Sequence, residues 1–188
     1  MPFNIQEFRT AMNYDGARPN LFDVSLTLPA GISGAAGFAR EFTFMCRTAQ
    51  LPGSSIGSVV VPYFGREVKF AGNRVFPDWA VTVINDEDFQ IKNAFERWLS
   101  SINQHEANRR SPQFINARNY SVQATVRQYG KTGFPVKTYK FIGMFPIDVS
   151  PIDLDWGAND TIEEFAVTFQ YQYWFRSCLS IKIIFTKF

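Results

Sequence analysis

Most of this chain alternates between apolar and polar positions. Phe22, Val24, Leu26 and Leu28 fall on one side of a run whose other side is Asp23, Ser25 and Thr27. Trp79, Val81 and Val83 oppose Asp78, Ala80 and Thr82, and Tyr120, Val122, Ala124 and Val126 oppose Ser121, Gln123, Thr125 and Arg127. The longest run, 161–174, sets Phe165, Val167, Phe169, Tyr171 and Tyr173 against Glu164, Thr168, Gln170 and Gln172. Successive side chains of a strand leave opposite faces, so a period of two is what a half-buried strand requires. Residues 136–147 return across Gly-Lys-Thr-Gly as the hairpin partner of 119–129. Residues 41–49 read as another strand, with Phe42, Phe44 and Cys46 inward, preceded by a Gly- and Ala-rich hairpin loop.

The period changes once. After the strand that opens at Phe76, Ile91, Phe95, Trp98, Leu99 and Ile102 recur at the spacing of one helical stripe. Asn85 or Asp86 is placed to cap this helix, expected over 87–102, and Glu87 and Asp88 add charge where the helix dipole favours it. The expected fold is therefore mainly β: an antiparallel β-barrel or sandwich with one α-helix packed on the outside. The remaining segments read as a mobile N-terminal arm over 1–20, a loop over 105–119, and a C-terminal extension over 175–188 that is a further strand at most.

One stretch breaks the two-faced pattern. Val59-Val60-Val61-Pro62-Tyr63-Phe64 is apolar on both sides, and a proline inside it bars a central place in a sheet. A two-stranded arch over 51–73, projecting from the body with Val59, Val61, Tyr63 and Phe64 bare, accounts for this and would mark a partner surface. An ordinary hairpin folded back on the core fits the same pattern.

Composition narrows the function. A length of 188 residues suits one domain, at ~100–200 residues per domain. Twenty Phe and 16% aromatic residues favour pleated surfaces and association. A net charge of +2 excludes a binder that works by neutralising many phosphates. No apolar run approaches the ~20 residues that span a bilayer, and Met-Pro-Phe-Asn-Ile-Gln-Glu-Phe lacks the basic and apolar regions of a secretory signal. In the cytosolic compartment this implies, Cys46 and Cys178 read as reduced thiols rather than a disulfide.

Candidate chemistry is sparse. Gly53-Ser54-Ser55-Ile56-Gly57 matches the nucleophile-elbow pattern, but a proline precedes it, an apolar strand follows, and His105 is the sole histidine to serve as base. One histidine and two distant cysteines give no zinc spacing, and no phosphate-cradling glycine motif is present. The acids of 85–88 are explained by capping, and Asp153, Asp155 and Trp156 by a polar loop. No catalytic, cofactor or metal site is expected, and no enzyme.

The order of several motifs, however, is familiar. Arg-Pro-Asn-Leu-Phe-Asp-Val-Ser-Leu at 18–26 is followed by Cys46-x-x-Ala-x-Leu-Pro-Gly53, then Val-Pro-Tyr-Phe-Gly-Arg at 61–66 running into Phe-Pro-Asp-Trp at 76–79 and Asn-Asp-Glu-Asp-Phe at 85–89, then Val126–Gly130 and Ile152–Trp156. Over roughly 18–174 this resembles the tail tube proteins of contractile-tailed bacteriophages, whose fold is similar to that of type VI secretion tubes. The resemblance implies a structural virion protein, assembled in the bacterial cytoplasm. Its copies would close into six-fold rings that stack into a hollow tube inside the contractile sheath and conduct the genome during ejection. Implied partners are further copies, the tail sheath protein, and baseplate and tail-terminator proteins. Genomic DNA would pass without specific binding, and no membrane or cofactor is involved. The arch corresponds to the ring-stacking loop, which assigns stacking contacts to Val59, Val61, Tyr63, Phe64, Arg66, Lys69, Asn73 and Arg74.

A lumen for DNA should avoid positive charge, because neutralised phosphates would retain the DNA. Ser121, Gln123, Thr125, Glu164, Thr168 and Gln170 are the candidate lining residues, with Arg127 as an exception at an ion pair or interface. The long first loop and the residues beyond Trp174 depart from the family pattern. Alternative readings are a tube initiator, terminator or baseplate hub of the same fold, a monomeric barrel enclosing a small apolar ligand, and a hydrolase using Ser55.

Overall fold

A computed structural model describes residues 4–12, 16–33 and 35–177. In chain order its elements are α1 (Ile5–Ala11), β1 (Phe22–Leu26), α2 (Ala35–Met45), β2 (Cys46–Ala49), β3 (Ser55–Tyr63), β4 (Arg66–Val75), β5 (Trp79–Ile84) and α3 (Gln90–Ile102). A single 3-10 turn (Pro112–Phe114) then leads to α4 (Ala117–Tyr120), β6 (Val122–Tyr129), β7 (Pro135–Val149), β8 (Glu164–Gln170) and β9 (Tyr173–Ser177). Strands pair in the order β1-β6-β7-β8-β5-β2, every pair antiparallel, while among the described residues β3 and β4 pair only with each other.

The fifteen-residue β7 belongs to two layers. Its first half carries β6 on one edge and β9 on the other, from Thr138↔Ser177 to Ile142↔Tyr173. Its second half pairs with β8, from Phe145↔Gln170 to Val149↔Val167. The strand changes layer at Gly143, whose φ of +68° is open to glycine, and where a Cβ would stand 2.8 Å from Gln172 Cγ. Opposite this point the run expected as one strand over 161–174 breaks at Tyr171–Gln172 into β8 and β9, with Gln172 N–H donating to Ile142 O at 3.0 Å.

Between the layers lies a core of rings. Trp79, Phe141, Phe165 and Phe169 are almost fully buried, and the stripe of α3 enters the same core through Ile91, Ala94, Phe95 and Trp98. Phe95 meets Phe169 at 5.7 Å edge-on and Trp98 at 6.3 Å stacked, geometries that aromatic pairs prefer. The strand faces of β1, β5, β6 and β8 bury the residues that alternation assigned to them, among them Val24, Leu26, Trp79, Val81, Val83, Ala124, Val126, Phe165 and Val167.

Several local expectations are corrected. Residues 41–45 are helical, not extended: Phe38 and Phe42 form an i, i+4 pair on α2 that stacks at 5.6 Å and faces Phe95, while Phe44 points to solvent at 74% exposure. Contact with α3 outweighs the strand propensity of Phe-Thr-Phe, so among the described residues two substantial helices, not one, close the core. Cys46 opens β2 and is buried as expected, a free thiol pushed up to about 12 by burial; Cys178 lies outside the described residues. Helix α3 starts at Gln90, not 87, because Phe89 takes a left-handed φ of +52°. Neither Asn85 nor Asp86 caps it. Asn85 is buried and tied to Glu163, its N–H to the backbone oxygen at 2.8 Å and Nδ2 to Oε2 at 3.0 Å, and Asp86 accepts from Glu87 N–H. The 105–119 loop contains buried Phe114 and the start of α4, which also takes Asn119 and Tyr120 out of β6. In the N-terminal arm, α1 buries no residue and leaves Ile5 and Phe8 exposed.

Candidate assembly interface

The hairpin β3–β4 is what this body displays. Its register runs from Ser55↔Val75 to Tyr63↔Arg66, leaving Phe64-Gly65 as a two-residue turn. Both turn residues have positive φ, +43° and +80°, the condition for a hairpin turn whose twist matches its strands. Phe64 is 92% exposed and meets the Tyr63 ring edge-on at 4.6 Å. A bulky side chain in the left-handed region is strained, and such strain collects where function needs it.

Cross-strand partners share a face. Val59↔Phe70 and Val61↔Val68, continued by Tyr63↔Arg66, make one side of the hairpin almost wholly apolar. The other side carries Ser58↔Ala71, Val60↔Lys69 and Pro62↔Glu67, mixing charge with small apolar groups. Every residue of these pairs is exposed. An isolated two-stranded hairpin is marginal in water, and a bare apolar face on one usually marks a partner. The sequence-derived set Val59, Val61, Tyr63, Phe64 and Arg66 thus falls together on the apolar face or its tip, whereas Lys69 points the other way. Asn73 sits beside the irregularity between Ile56 and Ser58, and Arg74 turns to its own chain, Nη1 donating to Ser54 Oγ at 3.3 Å. Sequence reasoning missed Val68 and Phe70. The turn at Phe64-Gly65, once recognised, would have placed both opposite the valines.

The six candidate lining residues do not form one surface. Gln123 and Thr125 lie on the outer face of the β1–β6–β7–β9 layer, and Ser121 precedes it, its Oγ donating to Ala117 O at 2.7 Å. Glu164, Thr168 and Gln170 lie on the outer face of the other layer. The two outer faces differ in chemistry. The first has the row Asp23↔Arg127↔Thr138↔Ser177 and the row Ser25↔Thr125↔Lys140↔Phe175. Asp23 accepts from Arg127 Nε at 2.9 Å, from Nη2 at 2.8 Å, and from Tyr129 Oη–H at 2.9 Å. The hydrogen bond to Asp23 holds the Arg127 guanidinium above its ordinary pKa, and burial, seconded by Asp23, raises that of Tyr129. The second face has Thr48↔Thr82↔Ala166 and Ala80↔Thr168↔Asp148, small and mostly neutral, with Arg47 and Glu164 paired at its margin.

The rival sites are not assembled. Ser55 opens a strand and no helix follows it, so the strained strand-to-helix turn that a nucleophile elbow needs is absent there. The interior in which a small-ligand barrel would hold its guest is filled by Trp79, Trp98, Phe95 and Phe141, each at most 2% exposed.

A β body with a complete core of its own, carrying a hairpin whose apolar face that body leaves bare, is built as a structural subunit for assembly. The chain belongs to the phage tail tube protein family, whose profile matches residues 17–177. It is 34% identical to the tail tube protein gp19 of Enterobacteria phage T4 over 85% of this chain and 91% of that protein. It is 28% identical to the tail tube protein of Serratia phage KSP90, over 89% and 93% of the two chains. Its fold is similar to that of a chain in the six-fold symmetrised baseplate of the anti-feeding prophage, with a TM-score of 0.63 at 14% identity, covering 88% of this chain and 98% of that one. Its role is structural, as a component of the tail tube.

Proposed function

We propose that copies of this chain close into six-fold rings, and that each ring reaches the next through the β3–β4 arch. The stacked rings form a hollow tube inside a contractile sheath, assembled in the host cytoplasm and bounded by baseplate and terminator proteins. The observation that carries this reading is the amphipathic hairpin, nineteen strand residues with an apolar face that none of the described residues outside the hairpin covers. The ring edges supply the other driving force, since an unpaired strand edge is an aggregation hazard that closure removes. The tube acts passively, without catalysis.

Of the two outer faces, that of β2–β5–β8 and the second half of β7 suits the lumen. Thr48, Thr82, Ala166, Ala80 and Thr168 present short neutral side chains that offer DNA phosphates no fixed cation. Glu164 and Gln170 border this face, while Ser121, Gln123 and Thr125 belong to the ring interface or the outside, along with Asp23 and Arg127. Negative-stain electron microscopy of the purified chain tests the reading: rings or tubes of uniform width are expected from the wild type. A variant in which a Gly-Asn-Gly turn replaces residues 57–72 should give isolated rings. Tubes from the shortened variant, or monomers from the wild type, overturn it.

A further inference from the structure

The arch leaves the body through two short legs. The outgoing leg is residues 50–54, between β2 and β3, and the return leg is 76–78, between β4 and β5. Neither leg belongs to a strand, so the sheet itself does not set the angle at which the hairpin stands. Something else holds it. Trp79 Nε1 donates to Gln50 O at 2.7 Å, and Trp174 Nε1 donates to Gly53 O at 2.9 Å. An indole nitrogen is a donor only, so each N–H has one task and is spent on a leg carbonyl. The two carbonyls bracket Leu51-Pro52, where proline fixes one backbone angle.

Trp174 also reaches the return leg. Its ring meets Phe76 at 6.5 Å and 75°, and Phe76 in turn meets Tyr171 at 6.0 Å. Tyr139 backs Trp174 from β7 at 5.4 Å and 77°, and Phe141 backs Tyr171 at 4.9 Å. One side chain on β9 therefore grips the outgoing leg by a hydrogen bond and the return leg by ring contact, and is itself seated on β7. Trp79 grips the outgoing leg alone and is rooted in the core against Phe141 at 4.7 Å.

We propose that Trp174, assisted by Trp79, is the positioning residue that fixes the direction of the arch. It contributes nothing to the apolar face that would meet a neighbour. Its action is to keep that face within the narrow range of angles at which one copy fits the next, an ordering that free legs would have to supply during each association event. The consequence for assembly rests on the stacking reading of the arch; the claim about its direction does not.

The test separates the two. Trp174→Phe keeps a six-membered ring against Phe76 and Tyr139 and removes the N–H together with the five-membered half of the indole. In a full-length Cys178→Ser background, nitroxides are placed at positions 67 on the arch and 123 on the body, and the labelled chain is diluted into unlabelled chain. Pulsed electron spin resonance then reads the distance distribution between them. Trp174→Phe should at least double its width while thermal unfolding and far-ultraviolet dichroism stay at the parent values. It should also raise the concentration at which tubes first form about tenfold. A merely structural Trp174 would shift the unfolding temperature and leave the width unchanged, and that result overturns the proposal. Trp79→Phe, which keeps a large ring in the core, serves as the second variant and should broaden the distribution less. If the variant with the shortened arch still forms tubes, the stacking reading falls, while the distance measurement continues to judge the clamp.

Discussion

Phe95 and Phe70 are the same residue in opposite situations. Phe95 is completely buried, ringed by Phe38, Phe42, Trp98 and Phe169; Phe70 stands 56% exposed on an arch that pairs with no other strand among the described residues. Both sit on amphipathic elements with an apolar face, and the difference lies in where that face finds its cover. In the body the two strand layers and two helices cover one another. In the arch the apolar pairs Val59↔Phe70 and Val61↔Val68 have no cover among the described residues. The body thus encodes a fold, and on the stacking reading proposed above the arch encodes an association, with the same alphabet of rings and β-branched residues.

Truncation should expose that division most strongly in the body. Phe95→Ala removes a ring that joins both helices to β8, and should cost about 3–5 kcal/mol of stability, read by urea unfolding. Tube formation would then fail only because the subunit does. Next in size is an alkaline effect. The folded-state pKa of Cys46 is raised from 9.0 to about 12 by burial, so the fold favours the thiol. That contribution is fully present below pH 9 and is lost as pH rises from 9 towards 12, on the order of 2 kcal/mol by pH 11. Comparing wild type with Cys46→Ala isolates it: the wild type should lose stability more steeply above pH 9. Parallel slopes in the two proteins would refute the assignment.

The legibility of the sequence follows the same division. Where a run was covered by its own neighbours over a full strand, as in Phe165–Phe169 or Trp79–Val83, alternation alone told which side was inside. It misled at 41–45, because Phe42 and Phe44 alternate like a strand while Phe38 and Phe42 also keep a helical spacing; only the presence of Phe95 across the gap decides between them. It also missed the break at Tyr171–Gln172, which is dictated by Gly143 on a different strand. The arch was visible as a stretch that violated two-sidedness, and its motifs carried the family resemblance. Trp174 carried no signal beyond a simple obligation, that a tryptophan at a strand end needs an acceptor for its N–H. The acceptor, Gly53 O, lies 121 positions away and no local pattern names it.

The smallest effect on the fold should accompany the largest effect on assembly, and the two faces of the arch provide an internal control. Phe70→Ser and Lys69→Ser are adjacent substitutions on one strand, each exposed, each leaving the hairpin register intact. Surface changes of this kind stay within about 0.5 kcal/mol of wild type, so neither should move the unfolding transition appreciably. If the apolar face is what a neighbouring copy covers, truncating a large ring there removes a central contact of the kind that dominates interfaces, and tubes should give way to rings or free subunits. Lys69, among the mixed residues of the opposite face, should matter less. Its loss should alter mainly the salt dependence of assembly, because a rim charge acts through encounter more than through the final contact. Equal effects from the two substitutions would mean that the hairpin is gripped from both sides, and the stacking contact would then have to be redrawn around the whole arch rather than its Val59–Phe70 face.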